Sequence, residues 1–367
     1  MKVIADLHIH SRFSRATSNK INIENLEKYA RIKGLNLLGT GDFTHPEWIK
    51  ELKGKLKEDN TGILKTETGF HFILQTEISL IYTQGRGRRI HLVLLAPNFD
   101  TADKITDYLK KHGRVDYDGR PIFKISCEKI VKDLREISGD IEVIPAHIWT
   151  PWFGLLGSKS GFDSFEEAFG NQVKHIHALE TGLSSDPPMN WRLSKLDKYT
   201  LISNSDLHSF WPWRIGREAN IIELDKLTYS NLIDAIKKKK VKTIEVDPGY
   251  GKYHFDGHRN CNVSMDPEET KKNNGICPIC KKPITIGVLN RVEELADRPK
   301  GFVPEDAQEF LTLMPLSEMI NMVNGYKIGT KKNWQEYYKL VNKERSEFYI
   351  LLDAPKEELM NLCGPEM

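Results

Sequence analysis

Short apolar runs recur along the first 245 residues, and most of them run into a residue able to bind a metal ion. Val3-Ile4-Ala5-Asp6-Leu7-His8-Ile9-His10 opens the series, with two histidines that strand alternation sends to one side. Leu35 to Thr40 runs into Gly41-Asp42-Phe43-Thr44-His45, and Phe70 to Tyr82 carries Glu77. Ile90 to Ala96 holds His91 near its start, after Gly85 to Arg89, which reads as a basic turn. Ile141 to Ala146 ends at His147, His175 to Leu179 leads to Glu180, and Leu201 to Ser205 leads to Asp206-Leu207-His208. Helical periodicity falls between these runs, over about Asn22 to Lys33, Glu47 to Lys57, Ala102 to Lys111, Cys127 to Ile137 and Thr228 to Lys239. Strands alternating with helices imply parallel pairing, and polar residues gathered at strand C-terminal ends are the layout of a (β/α) barrel active site.

The pattern changes near Val246. Asp247-Pro248-Gly249-Tyr250-Gly251 is linker-like, and the next forty or so residues are rich in Cys, Asn, Pro and Lys. Helical patterning returns after Pro304, through Glu305 to Leu313, Leu316 to Val323 and Lys332 to Leu352. Boundaries therefore fall near 245 and 295, giving an α/β barrel unit (1–245), a small module (246–295) and a helical C-terminal region (296–367). In the module, His258 and Cys261 are followed by Cys277 and Cys280, two short-spaced knuckles of the structural zinc kind. A segment so poor in apolar residues needs such a staple to fold. His254 competes for the fourth ligand position. Cys127 and Cys363 read as core or surface thiols.

Composition adds limits. Five cysteines, three of them clustered, argue for a metal site rather than a disulfide framework. No apolar run approaches the ~18 residues that cross a bilayer, and the start lacks the basic-then-apolar order of a signal peptide. A cytoplasmic protein with no membrane partner is the expectation. Net charge is +2, so any surface for an acidic polymer must be local.

Asp6-Leu7-His8-Ile9-His10-Ser11, the Glu77 strand, Pro145-Ala146-His147 and Ser205-Asp206-Leu207-His208 resemble, in this order, the motifs of the PHP family of metal-dependent phosphoesterases. The resemblance implies a distorted (β/α)7 barrel with a multinuclear metal centre at the strand C-termini. It implies His8, His10, Glu77, His91, His147, Asp206 and His208 as ligands, with Glu77 as the bridge. In the family's second motif, usually Thr-Asp-His, this chain has Thr40-Gly41-Asp42, so Asp42 takes the histidine's place; His45 is a substitute from the loop. Where the family often has a further histidine, this chain has Ser14-Arg15-Ala16, and Arg15 becomes a phosphate contact. Zinc, or Mg or Mn, suits such a centre.

Gly251 to Arg259, the Cys pair, Asn290 to Pro299, Pro145 to Trp152 and Glu180 to Asp186 narrow the resemblance to the family's DNA-repair endonucleases. That implies hydrolysis 5′ of deaminated bases (hypoxanthine, uracil, xanthine) and abasic sites by metal-activated water, with the lesion base flipped into a pocket. Asp206, Glu77 and Glu180 are then the catalytic candidates, although Glu180 and Asp186 could equally cap a loop. Arg15, Arg86, Arg88 and Arg214 are candidate phosphate contacts, together with Arg89 and Arg217. Trp149, Trp152 and Trp211, with Phe153, Phe210 and Trp213, either stack on a base or pack the barrel rim. Lys327, Thr330 and Lys331, in a glycine-bearing turn opening a helix, offer a further phosphate site. The run Lys237 to Lys242 is either a solvated helix end or a DNA contact. Damaged DNA is the expected partner of a monomer, with a sliding clamp conceivable. The competing readings are a PHP phosphatase of small phosphate esters, of the histidinol-phosphatase type, and a non-catalytic DNA-binding protein.

Overall fold

The structure, a computed structural model, describes residues 1–363. Apolar strands too short to bury both faces alone are covered by amphipathic helices, and the result is one strongly curled sheet. From one edge to the other its strands are Phe310–Thr312, Val241–Glu245, Ala219–Glu223, Lys2–Asp6, Leu37–Gly39, His71–Gln84, Arg86–Ala96 and Glu142–Pro145. Ala178–Glu180 and Thr200–Ile202 form a separate parallel pair. Backbone bonds from Ile148 N–H to Glu180 and from His10 N–H to Leu207 join the ends of these two sheets, so the curl becomes a distorted, incomplete barrel.

The helices begin and end where their caps dictate. Asn22 accepts the N–H of Asn25 and Gly34 stops the helix Ile23–Lys33, while Ser126 and Thr228 cap Cys127–Ile137 and Tyr229–Lys237 in the same way.

Four sequence expectations are corrected. Pairing is not parallel throughout: Lys2–Asp6 with Ala219–Glu223, and His71–Gln84 with Arg86–Ala96, are antiparallel. The basic turn contracts to Gly85 at a hairpin tip, where its φ of +69° is left-handed, and Arg86 to Arg89 continue the strand. Glu305 to Leu313 is not helical, because Phe310–Thr312 adds to the sheet edge beside Val241–Glu245. The helical stretch from Lys332 breaks after Leu340, at a turn in which Asn342 accepts the N–H groups of Glu344 and Arg345.

Two small cores lie beside the large one. Leu316, Ile320, Tyr337, Leu340, Val341 and Ile350 pack the C-terminal region, and Met265, Cys277 and Ile284 pack the module. Cys127 is buried under the barrel, and the side chain of Cys363 lies outside the described residues. Among the described residues no helix is long and apolar enough to cross a membrane.

Candidate metal centre

His8 and His10 follow the first strand and reach one side of the barrel mouth, as alternation requires. Glu77 lies mid-strand in the hairpin, where the register sets Ser79 against His91 and Glu77 against Val93. Glu77 and His91 are therefore diagonal neighbours on one face. His147 lies two residues past the strand Glu142–Pro145 and Asp206 four past Thr200–Ile202, with φ of +29° and +46°, left-handed values that cost non-glycine residues energy.

These residues form two clusters that share one carboxylate. Glu77 Oε2 lies 3.6 Å from His8 Nε2 and 3.2 Å from His10 Nε2, and Asp206 Oδ1 closes the group 3.1 Å from His10 Nε2. Glu77 Oε1 lies 2.7 Å from His91 Nδ1 and 3.2 Å from His147 Nε2. In each cluster the candidate ligand atoms all lie within 4.8 Å of one another. His8 Nε2, His10 Nε2 and Asp206 Oδ1 are buried and make no hydrogen bond. Buried polar atoms without partners are costly, and three converging on one point are a donor set for a divalent cation. The residues present thus fit two ions, with Glu77 between them.

The imidazoles are held from behind. His8 Nδ1 lies 3.1 Å from both oxygens of Glu180, which also accepts the His147 N–H and a hydrogen bond from Asn204. His10 Nδ1 lies 3.1 Å from Asp42 Oδ1, and His147 Nδ1 lies 3.0 Å from Thr150 Oγ1. Such partners fix which nitrogen faces the metal. Burial alone would raise the Glu77 carboxyl, but His91, Arg120 and His8 hold it well below the usual range. Asp206 is held low against burial by His10 and His8. Burial pushes His91 down to about 4 despite the pull of Glu77.

Several expected roles change. Asp42 does not join either cluster: Ser11 and Ser14 donate to its Oδ2, and its Oδ1 faces His10 Nδ1 from behind. Glu180 faces His8 Nδ1 in the same way and stands outside both clusters, although it also lines the cavity. His45 is stacked on Phe13 with ring centroids 4.1 Å apart. His208 lines the mouth, but its Nδ1 is engaged by the Asp206 carbonyl and it stands outside both clusters. Asp186 caps the short helix at Pro187, as one of its two readings had it.

Among the candidate DNA contacts, Arg15 and Trp152 line the cavity. Arg88 does not: its guanidinium lies 3.9 Å from the Phe162 ring centroid and bonds Glu167, so it is committed to the fold. Trp149 is buried and donates to Asn190, which leaves no face for a base. Trp211 stacks on Trp213 at 5.6 Å and packs against Trp334. Arg86 is exposed but bonds the Gly161 carbonyl, and Arg214 is exposed away from the cavity. Lys327, Thr330 and Lys331 are exposed at the start of the helix Lys331–Leu340, where Thr330 is the N-cap; they too stand away from the cavity.

Arg120 is the main residue that sequence reasoning missed. Its Nη1 lies 3.1 Å from Glu77 Oε2, and Glu77 and Asp206 reinforce its charge against burial. It sits in Asp118-Gly119-Arg120-Pro121, a turn signal between two helices. A Cβ on Gly119 would collide with the Asp42 carboxylate and Ser14, so only glycine lets this turn cross the mouth.

In the module, one atom each of His258, Cys261, Cys277 and Cys280 also lie within 4.8 Å of one another. His254 is excluded from that set because its Nδ1 is engaged by the Ser184 carbonyl at 3.0 Å.

No protein-family model matches the chain. By sequence it is 34% identical over 220 residues to the uncharacterised protein MJ0043 of Methanocaldococcus jannaschii, covering 58% of this chain but spanning only 27% of that protein. It is 29% identical to the uncharacterised YqxK of Bacillus subtilis, over 100% of this chain and 92% of the relative. Among solved structures it matches the lesion-specific endonuclease PfuEndoQ of Pyrococcus furiosus with a TM-score of 0.88 and 32% identity, covering 99% of this chain and 88% of the other. It matches endonuclease Q bound to a 27-mer duplex with an abasic lesion at the active site with a TM-score of 0.89 and 32% identity, covering 99% and 89%. With that identity sustained along nearly the full length of both chains, this protein belongs to the endonuclease Q family.

Proposed function

We propose that the chain is a metal-dependent DNA repair endonuclease that hydrolyses the phosphodiester 5′ of deaminated bases (hypoxanthine, uracil, xanthine) and of abasic sites. The observation that carries the reading is Glu77, whose two oxygens face two separate nitrogen-rich clusters at the floor of one open cavity. The likeness to an endonuclease Q holding abasic duplex DNA supports DNA as the substrate.

Divalent ions held there would supply Lewis acidity to the phosphate and make water acidic enough to attack at neutral pH. Zinc fits the imidazole-rich set, and Mg or Mn the carboxylates. The rest falls to the chain. Glu180, Asp42 and Thr150 keep the imidazoles aimed, as their hydrogen bonds require. Arg120 and Arg15, both on the cavity wall, place positive charge where a phosphate would lie. The module, stapled by zinc, borders the cavity through the segment around Lys252 and Tyr253.

End-labelled duplexes carrying one uracil, hypoxanthine or abasic site test the reading, with the cut position and metal dependence mapped. Nicking on the 5′ side of each lesion, lost on chelation, is the expected result. Protein that ignores damaged strands and splits a simple phosphate monoester would be a phosphatase instead.

A further inference from the structure

The cavity over the metal centre, about 610 Å³, does not end at the barrel rim. Trp152, Lys252 and Tyr253 line it and also line a second cleft of about 640 Å³ between the rim and the Cys/His module. That second cleft is walled by aromatic rings that globular packing would normally cover: Trp152 is 36% exposed, Phe255 44% and Tyr250 52%. Lys252 and Arg259 place cations on the same walls. The strap 250–255 that carries most of these groups is anchored near its C-terminal end, to both the barrel and the module. His254 is buried and bonds the Ser184 carbonyl of the barrel, while the Tyr253 and His254 carbonyls accept the Val288 and Leu289 N–H groups of the module. These bonds fix the backbone at Tyr253 and His254, and the Phe255 ring beside them stays exposed.

We propose that this cleft is a stacking platform for an unpaired nucleotide next to the cut phosphate, whatever base that nucleotide carries. Aromatic faces with interspersed cations are the chemistry that binds single-stranded nucleic acid. Trp152 and Tyr253 stand 6.1 Å apart between centroids, at the junction of the two spaces, so a strand with its phosphate at the metal centre reaches them next. The cleft is wide and open, and the rings of Trp152, Tyr250, Tyr253 and Phe255 share its wall with Lys252, Arg259, Ser264 and Thr285. A site that reads a flipped base needs a snug pocket with groups on the Watson–Crick edge. The platform therefore contributes to strand placement, not to lesion identity.

This inference rests on the proposed endonuclease reading, and one experiment separates the two. Single-turnover cleavage of uracil and abasic duplexes is compared for the wild type, Trp152→Ala and Tyr253→Ala, with melting temperature and module metal content as controls for folding. A stacked base contributes enough that each variant should slow both substrates together, by about tenfold. Tyr253→Phe, which keeps the ring, should recover the rate. The fluorescence of 2-aminopurine beside the lesion should change when the wild type binds and stay unchanged with Trp152→Ala. Unaltered cleavage by both alanine variants overturns the platform, and so does a loss confined to the uracil duplex. If the wild type cuts neither duplex, it is the endonuclease reading that fails.

Discussion

Glu77 is the residue on which both clusters depend, since each of its oxygens faces a different set of imidazoles. Glu77→Gln keeps the shape and removes the charge; DNA nicking should vanish and the bound barrel metal, measured by elemental analysis, should fall by more than one ion per chain. Glu180→Gln tests the positioning role: with His8 less firmly held, metal affinity should drop about 10–100-fold by titration, while saturating metal restores most of the rate. A group acting directly on the phosphate would not be rescued in this way. His8 and His10 were legible in the sequence because strand alternation sends them to one side, whereas Glu77 and His91, inside their strands, were picked out by the resemblance to the PHP motifs. The roles of Asp42 and Glu180 were not, because both stand one contact behind residues distant in sequence, and only packing brings them there.

At the scale of elements, strands bring charges together that their own sequences do not pair. Glu245 ends the strand Val241–Glu245 and Glu218 precedes the neighbouring strand Ala219–Glu223, and both are fully buried. Burial raises both carboxyls, Glu245 from 4.5 to about 8, with Ser203 and Thr181 offsetting part of the rise. A folded pKa above the unfolded value means stability that is full below the unfolded pKa and is lost as pH rises through the folded one. Melting temperature should therefore decline between about pH 5 and about pH 9, and Glu245→Gln should flatten the decline. A second junction joins the helix Ile23–Lys33 to the C-terminal region. Lys33 Nζ lies 2.7 Å from Glu347, whose other oxygen accepts the Tyr337 hydroxyl, and both charges are buried. Lys33→Met strands the carboxylate and should cost about 3–5 kcal/mol in denaturant unfolding, with Glu347→Gln in the same chain recovering part of it. Helices with strong caps were readable from sequence alone. The hairpin was misread because four arginine and glycine positions look like a loop until strand pairing satisfies their backbone.

Across the whole molecule, the module and the barrel each carry their own candidate ligand cluster. Cys277→Ser should release one zinc per chain and open residues 254–286 to protease, while the barrel keeps its fold, because the module's own apolar core is three residues. The sequence by itself determined which residues gather in the two barrel clusters, the His258, Cys261, Cys277 and Cys280 grouping, and the well-capped helices of the barrel. These are local matters of periodicity, spacing and capping, in which neighbours in the chain are neighbours in space. Only the tertiary structure decided that Asp42 and Glu180 stand behind His10 and His8 outside the clusters, that Arg88 and Trp149 are committed to packing, and that Arg120 faces Glu77. Those outcomes turn on which buried groups find partners across the curl of the sheet, and the energy of leaving a charge or polar atom unpaired in the interior is settled by the completed fold.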